Sequence, residues 1–222
     1  MSNTITYPNL TDKEIEARTI DLIRSYKEKK GSYVHTPIPV FEMIEFLGYN
    51  VDFKKDGMYT DPNNLGGLRV QDKMVEINEN ISNQEGRMHF TAAHEIGHII
   101  MHVPLMKKSH NDIFCRKDEG FEGTKKEPIE WQADTFAAFL LMPTKHVKKA
   151  FLKQYKDSQN VRKKRLLDLL IPRSPISKAY HIVDKILETG NFENVSRMAM
   201  LNRLIGLQLI NGIHYQKTNV DA

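Results

Sequence analysis

The sequence predicts an α+β protein, with a small antiparallel sheet inside a helical core and a mostly helical C-terminal region after it. Two observations carry this. Strand-like segments cluster between residues 49 and 78, while apolar residues on either side recur at helical spacing. Apolar residues make up 40% of the chain against 27% charged, a balance that can bury a core.

The elements follow in order. Thr11 with Glu14 three residues on is the pattern of a capping box, and it opens a helix whose apolar positions are Ile15, Ile20, Leu22 and Ile23. The stretch 31–39, from Gly31 to Pro39, breaks it. A second helix is expected over residues 40–47, stopped by Gly48. Residues 49–53, 68–70 and 74–78 read as strands, and the last two pair as a hairpin around Gln71, Asp72 and Lys73. A helix over 87–102, ended by Pro104, comes next. Residues 103–128 are polar and without period, and are expected to form a long loop. A helix over 128–142 stops at Pro143, and helical pattern resumes beyond it with breaks at 172–175 and at Gly190.

Composition excludes several classes. A single cysteine, Cys115, rules out an intrachain disulfide and fits a reducing compartment; it is expected to be a free thiol. The longest apolar run, residues 136–143, has eight residues against the roughly 20 a membrane helix needs. Residues 1–9 lack the basic and apolar parts of a secretory signal, so a cytoplasmic protein is expected. The net charge of +4 is uneven: between Lys145 and Arg173 stand ten Lys/Arg and two Asp/Glu. This basic stretch is either a solvated helix face or a contact for DNA or an acidic protein surface.

The chemistry lies in His94-Glu95-Ile96-Gly97-His98, an H-E-x-x-H pattern. Residues four apart on a helix sit about 40° apart around the axis and about 6 Å along it, so two imidazoles can converge on one ion. Glu95 lies about 100° round from His94, placed to reach a metal-bound water without ligating the metal. Ala92, Ala93, Ile96, Ile99 and Ile100 form the apolar back of this helix. A catalytic zinc needs a third protein ligand and an open position. Glu130 is the best candidate. Asp134, one turn on, can accept the free ring N–H of His94 and fix its tautomer. Ala133 and Ala137 would let this helix approach closely. His102 lies about 12 Å along the axis from His94 and is expected to be structural. One Zn²⁺ per chain would activate water, with Glu95 as general base for amide hydrolysis. The hairpin of residues 68–78 could offer a free edge to an extended substrate.

These residues resemble a known family. The segments from Met88 to His102 and from Glu130 to Pro143 are similar to the two active-site helices of the ImmA/IrrE metallopeptidases. Val75-Glu76-Ile77-Asn78 resembles the preceding strand, and residues 195–204 resemble the helix-turn-helix that often follows the core. The resemblance implies a thermolysin-like zincin with His94, His98 and Glu130 as ligands and Glu95 as base. It also implies a partner, a helix-turn-helix repressor whose cleavage releases silenced genes. Residues 1–145 would form the zincin-like metallopeptidase domain and residues 146–222 a helical, helix-turn-helix-like region. The competing reading is a DNA-binding regulator with a structural or vestigial metal. Against it, the helix near residues 195–210 is rich in Met, Leu and Ile, with only Arg197 and Arg203 as basic residues, a pattern of core packing more than of base reading.

Overall fold

The computed structural model describes residues 7–31, 34–106, 127–163 and 174–214, together with the backbone of Ile113–Lys117. Helix α1 (Asp12–Lys30) starts at the capping box: the Thr11 amide donates to Glu14 Oε2 at 2.8 Å, and the Glu14 amide donates back to Thr11 Oγ1. Gly31, at φ 68°, ends it in the left-handed conformation that glycine adopts without a Cβ clash. The buried face is Ile15, Thr19, Leu22 and Tyr26, whereas Ile20 is exposed. α2 (Val40–Phe46) ends before Gly48, whose φ is 81°.

Strands β1 (Asn50–Lys54), β2 (Asn64–Arg69), β3 (Met74–Asn78) and β4 (Ile113–Lys117) form one sheet in the order β1-β3-β2-β4. The hairpin of β2 and β3 is antiparallel, as the sequence indicates. The sheet, however, is mixed, because β1 joins β3 in parallel. β3 takes the central place with four of its five residues buried, and the hairpin then leaves β1 alongside a strand of its own direction. β4 pairs antiparallel with the far side of β2. It comes from the stretch expected to be a loop. Both hairpin strands therefore have neighbours on each side, and the expected free edge is not there; the edges are β1 and β4. Two apolar residues, Ile113 and Phe114, are too short a run to show strand periodicity. The Cys115 side chain lies outside the described part.

Helix α3 (Glu85–Met101) packs under β2 and β3, and α4 (Pro128–Leu141) lies along α3 with α1 behind it. α5 (Thr144–Gln154), α6 (Pro175–Gly190) and α7 (Arg197–Gly206) follow, with short parallel strands β5 (Gln159–Asn160) and β6 (Ile210–Asn211) pairing beside them. Ser174 and Ser196 cap α6 and α7 by accepting from the amides three residues on. One hydrophobic cluster runs from Ile96 and Leu140 through Val147 and Phe151 to Val183, Leu201 and Leu204, so the core is continuous across residue 145. No helix among the described residues is long and apolar enough to cross a membrane.

Both basic residues of α7 are engaged within the fold. Arg197 pairs with Asp184 at 2.7 Å. Arg203, nearly buried, donates to the Met142 carbonyl at 3.1 Å and to Thr144 Oγ1 at 2.6 Å, and stacks over Phe139 at 4.3 Å. It ties the end of α4 to α7. Arg203→Ala is expected to cost about 2 kcal/mol, the scale of lost hydrogen bonds from a charged group. Urea unfolding of the purified chain measures this; an unchanged midpoint would remove Arg203 as a clamp.

Candidate metal centre

α3 and α4 meet at Gly97. A Cβ there would lie 3.1 Å from Ala133 Cα and 3.2 Å from Phe136 Cβ. Glycine inside a helix costs about 1 kcal/mol relative to alanine, so its place here reflects packing. The close approach brings α4 within side-chain reach of His94 and His98. Gly97→Val would force the helices apart and is expected to destabilise the chain by about 3 kcal/mol, the upper range for overpacking. Thermal unfolding reads this, and a native midpoint in the variant would show that the contact has room to give.

The residues expected at the site come together. His94 Nε2 and His98 Nε2 are 3.0 Å apart. Glu130 Oε2 lies 3.2 Å from His94 Nε2, and Glu130 Oε1 lies 3.4 Å from His98 Nε2. Among the described residues these three form the group of His, Cys, Asp or Glu able to hold a metal ion, with donor atoms within 4.8 Å of one another. A tetrahedral zinc with bonds of about 2.0–2.1 Å separates its ligands by about 3.3 Å. The N–N contact of 3.0 Å and the N–O contacts of 3.2 and 3.4 Å to the two Glu130 oxygens are close to this spacing, so the residues present fit such an ion. Both histidines are about 1% exposed, while Glu130 and Asp134 are 24% and 21% exposed. Glu130 and Asp134 thus keep part of their side chains at the surface.

Asp134 sits where the spacing placed it: His94 Nδ1 is 2.8 Å from Asp134 Oδ1. With Nδ1 held by Asp134, Nε2 is the atom that faces the triangle. Burial opposes a charge on His94, but the hydrogen bonds to Asp134 and Glu130 outweigh it and hold the imidazole pKa up at about 9, so an ion binding at Nε2 would displace a proton from it. His98 is pushed well below the usual histidine range, first by burial and then by His94 and His102 beside it. His98 is therefore a neutral imidazole at pH 7, the form in which histidine ligates metals.

Glu95 is fully buried beside the triangle. Strand β2 runs close over it at Gly66, where a Cβ would stand 2.5 Å from Thr91 Cγ2, 2.9 Å from the Glu76 carbonyl oxygen and 3.6 Å from Glu95 Oε1. Only glycine lets the backbone pass there. The sequence reading starts this strand at Leu68 and so misses Gly66. The Gly66-Gly67 pair inside a strand segment is the signal that marks a close backbone approach. His102 is not part of the triangle: it is fully buried, with Nδ1 2.9 Å from His98 Nδ1.

The geometry of the two helices agrees with comparison to known proteins. The IrrE N-terminal-like domain, a peptidase family, matches residues 51–168. That span contains all four strands of the main sheet but for Asn50, the first residue of β1, and both helices of the donor triangle. Among curated proteins no sequence matches the chain. Because the match covers more than half of the 222 residues and includes His94, His98 and Glu130, the chain belongs to the ImmA/IrrE peptidase family.

Proposed function

We propose that this protein is a zinc-dependent endopeptidase that cleaves a helix-turn-helix transcriptional repressor in the cytoplasm and so releases genes held silent, in a stress response or a mobile element. The observation that carries the metal assignment is the convergence of His94 Nε2 and His98 Nε2, 3.0 Å apart, with the Glu130 carboxylate, whose Oε2 lies 3.2 Å from the first and Oε1 3.4 Å from the second. His94 and His98 through Nε2 and Glu130 through its carboxylate would hold one zinc ion per chain. Nitrogen and oxygen donors in a tetrahedral set favour zinc over calcium or magnesium. When bound, zinc acidifies coordinated water and polarises a neighbouring carbonyl. Glu95 takes a proton from water through its carboxylate and passes it to the leaving amine, so that water and a peptide bond become a carboxylate and an amine. Asp134 keeps His94 in the ligating tautomer throughout. Gly66 lets β2 lie against the site without displacing Glu95.

In this reading residues 1–145 carry the chemistry and residues 146–222 brace it through the shared core. α5 presents Lys145, Lys148, Lys149 and Lys153 around Leu152, whose exposure is 64%. This surface suits an acidic patch of the substrate or the DNA beneath it. Of the rest of the basic stretch, Lys164, Arg165 and Arg173 lie outside the described residues.

The test compares new protein N-termini in cells expressing the wild type and cells expressing Glu95→Gln. A terminus inside a DNA-binding repressor, present only with the wild type, supports the proposal and names the substrate. No difference, under stress as well as at rest, would overturn it.

A further inference from the structure

A chain of buried polar groups leads away from the triangle. His98 Nδ1 is 2.9 Å from His102 Nδ1, His102 Nε2 is 3.3 Å from Gln132 Oε1, and Gln132 Nε2 donates to the Pro8 carbonyl at 2.8 Å. His98, His102 and Gln132 are each no more than 1% exposed. The Tyr7 ring stands edge-on to His102 with centroids 5.3 Å apart. The chain thus joins α3, α4 and the segment before α1.

Its direction is set from the Pro8 end. The Pro8 carbonyl can only accept, so the Gln132 amide group faces it and Gln132 Oε1 faces His102. Gln132 Oε1 can only accept, so His102 carries its proton on Nε2 and leaves a lone pair on Nδ1. That lone pair can accept only if His98 is protonated on Nδ1. His98 is then left with a lone pair on Nε2, the atom that faces His94 and Glu130.

We infer that His102 and Gln132 are positioning residues that hold His98 in its ligating tautomer, with the Tyr7–Pro8 segment as the anchor. This rests on the metal-site reading above. The two histidines of the triangle are oriented by different means. His94 has a partly exposed carboxylate, Asp134. His98 points into the core, where a second carboxylate would carry a heavy desolvation cost. A neutral imidazole and a neutral amide do the same work without bringing a charge. The histidines at 94, 98 and 102 stand one turn apart, with ring centroids 4.8 and 4.9 Å from neighbour to neighbour. α3 and its C-cap residue therefore supply both ligands and the first link of the relay.

The test uses the full chain with zinc as the probe. Zinc affinity is measured by competition with a chromophoric chelator for the wild type, His102→Phe, Gln132→Leu and Glu130→Ala. Long-range ¹H–¹⁵N correlation spectra of the zinc-loaded wild type report histidine tautomers. The expected spectra place the proton of His98 on Nδ1 and that of His102 on Nε2. His102→Phe is expected to weaken zinc binding about 10–100-fold, the usual effect of losing an outer partner, and Gln132→Leu by a smaller factor in the same direction. A His102 proton on Nδ1 overturns the relay, whether or not the variants fold. So does wild-type zinc affinity in both variants with native circular dichroism. If the wild type takes up no stoichiometric zinc, or Glu130→Ala binds it as tightly, the metal-site reading and the relay fall together. If Glu130→Ala alone loses zinc, only the relay falls.

Discussion

Glu95→Gln is expected to lower the rate of repressor cleavage by about 10²–10⁴-fold, the contribution of a positioned general base, with zinc content still at one ion per chain. The amide matches the carboxylate in shape, which matters because Glu95 is fully buried between α3 and the strand that passes at Gly66. An alanine would leave a cavity and confuse loss of chemistry with loss of packing. Glutamine keeps the volume and removes the group that accepts a proton. The ligands do not change. Its negative charge is only the last of the influences raising the His94 pKa, behind Asp134 and Glu130, so the donor triangle should survive. Turnover of the cognate repressor and zinc content by atomic absorption, measured on one preparation, test both halves. Cleavage at the wild-type rate would show that another group is the base. Loss of zinc would show that Glu95 helps to hold the site.

Glu130→Ala is expected to weaken zinc binding by more than about 100-fold, beyond the upper end for loss of an outer partner. Glu130 supplies two sides of the triangle, to His94 at 3.2 Å and to His98 at 3.4 Å. Without it two imidazoles remain as ligands, and no carboxylate binds the ion directly. Asp134→Ala removes only the hydrogen bond at His94 Nδ1 and is expected to cost about 10–100-fold. The order of the two variants carries the argument. Competition titration of both against the wild type reads it, and equal losses would mean that Glu130 is not a ligand. Glu130 is partly exposed and at the start of α4, so its removal should leave the fold intact by circular dichroism.

Much of the site could be read from local spacing. His94, Glu95 and His98 lie on one helix whose apolar back packs as expected, with Ala92, Ala93 and Ile96 fully buried. Glu130 and Asp134 lie one turn apart on a second helix, Asp134 at the His94 ring nitrogen anticipated for it and Glu130 beside both histidines. The capping box of Thr11 and Glu14 also formed as the pattern indicates. These features depend on residues three or four apart, where helix geometry leaves little choice.

Where the reading fell short, the deciding contact was distant or the signal too short. In α1 the apolar Ile20 faces solvent while Thr19 is buried, because the threonine hydroxyl bonds the Glu16 carbonyl and can turn inward. The strand β4 carries too few apolar residues to show a period, yet it pairs with β2 and covers the edge that the hairpin would have left open. His102 was placed correctly outside the triangle, but its link to His98 became visible only once Gln132 and Pro8 were seen beside it.

The sequence by itself determined the two helices, the faces they present and the residue types on those faces, since these follow from a period of 3.6 residues. Only the tertiary structure decided that the two faces meet. That meeting depends on Gly97 lying against Ala133, on β3 taking the centre of the sheet, and on Gly66 passing beside Glu95. Each is a contact between segments far apart in the chain, set by how volumes fill a shared core; small residues such as Gly66 and Ala133 mark where a close approach is possible, and the packing decides what approaches.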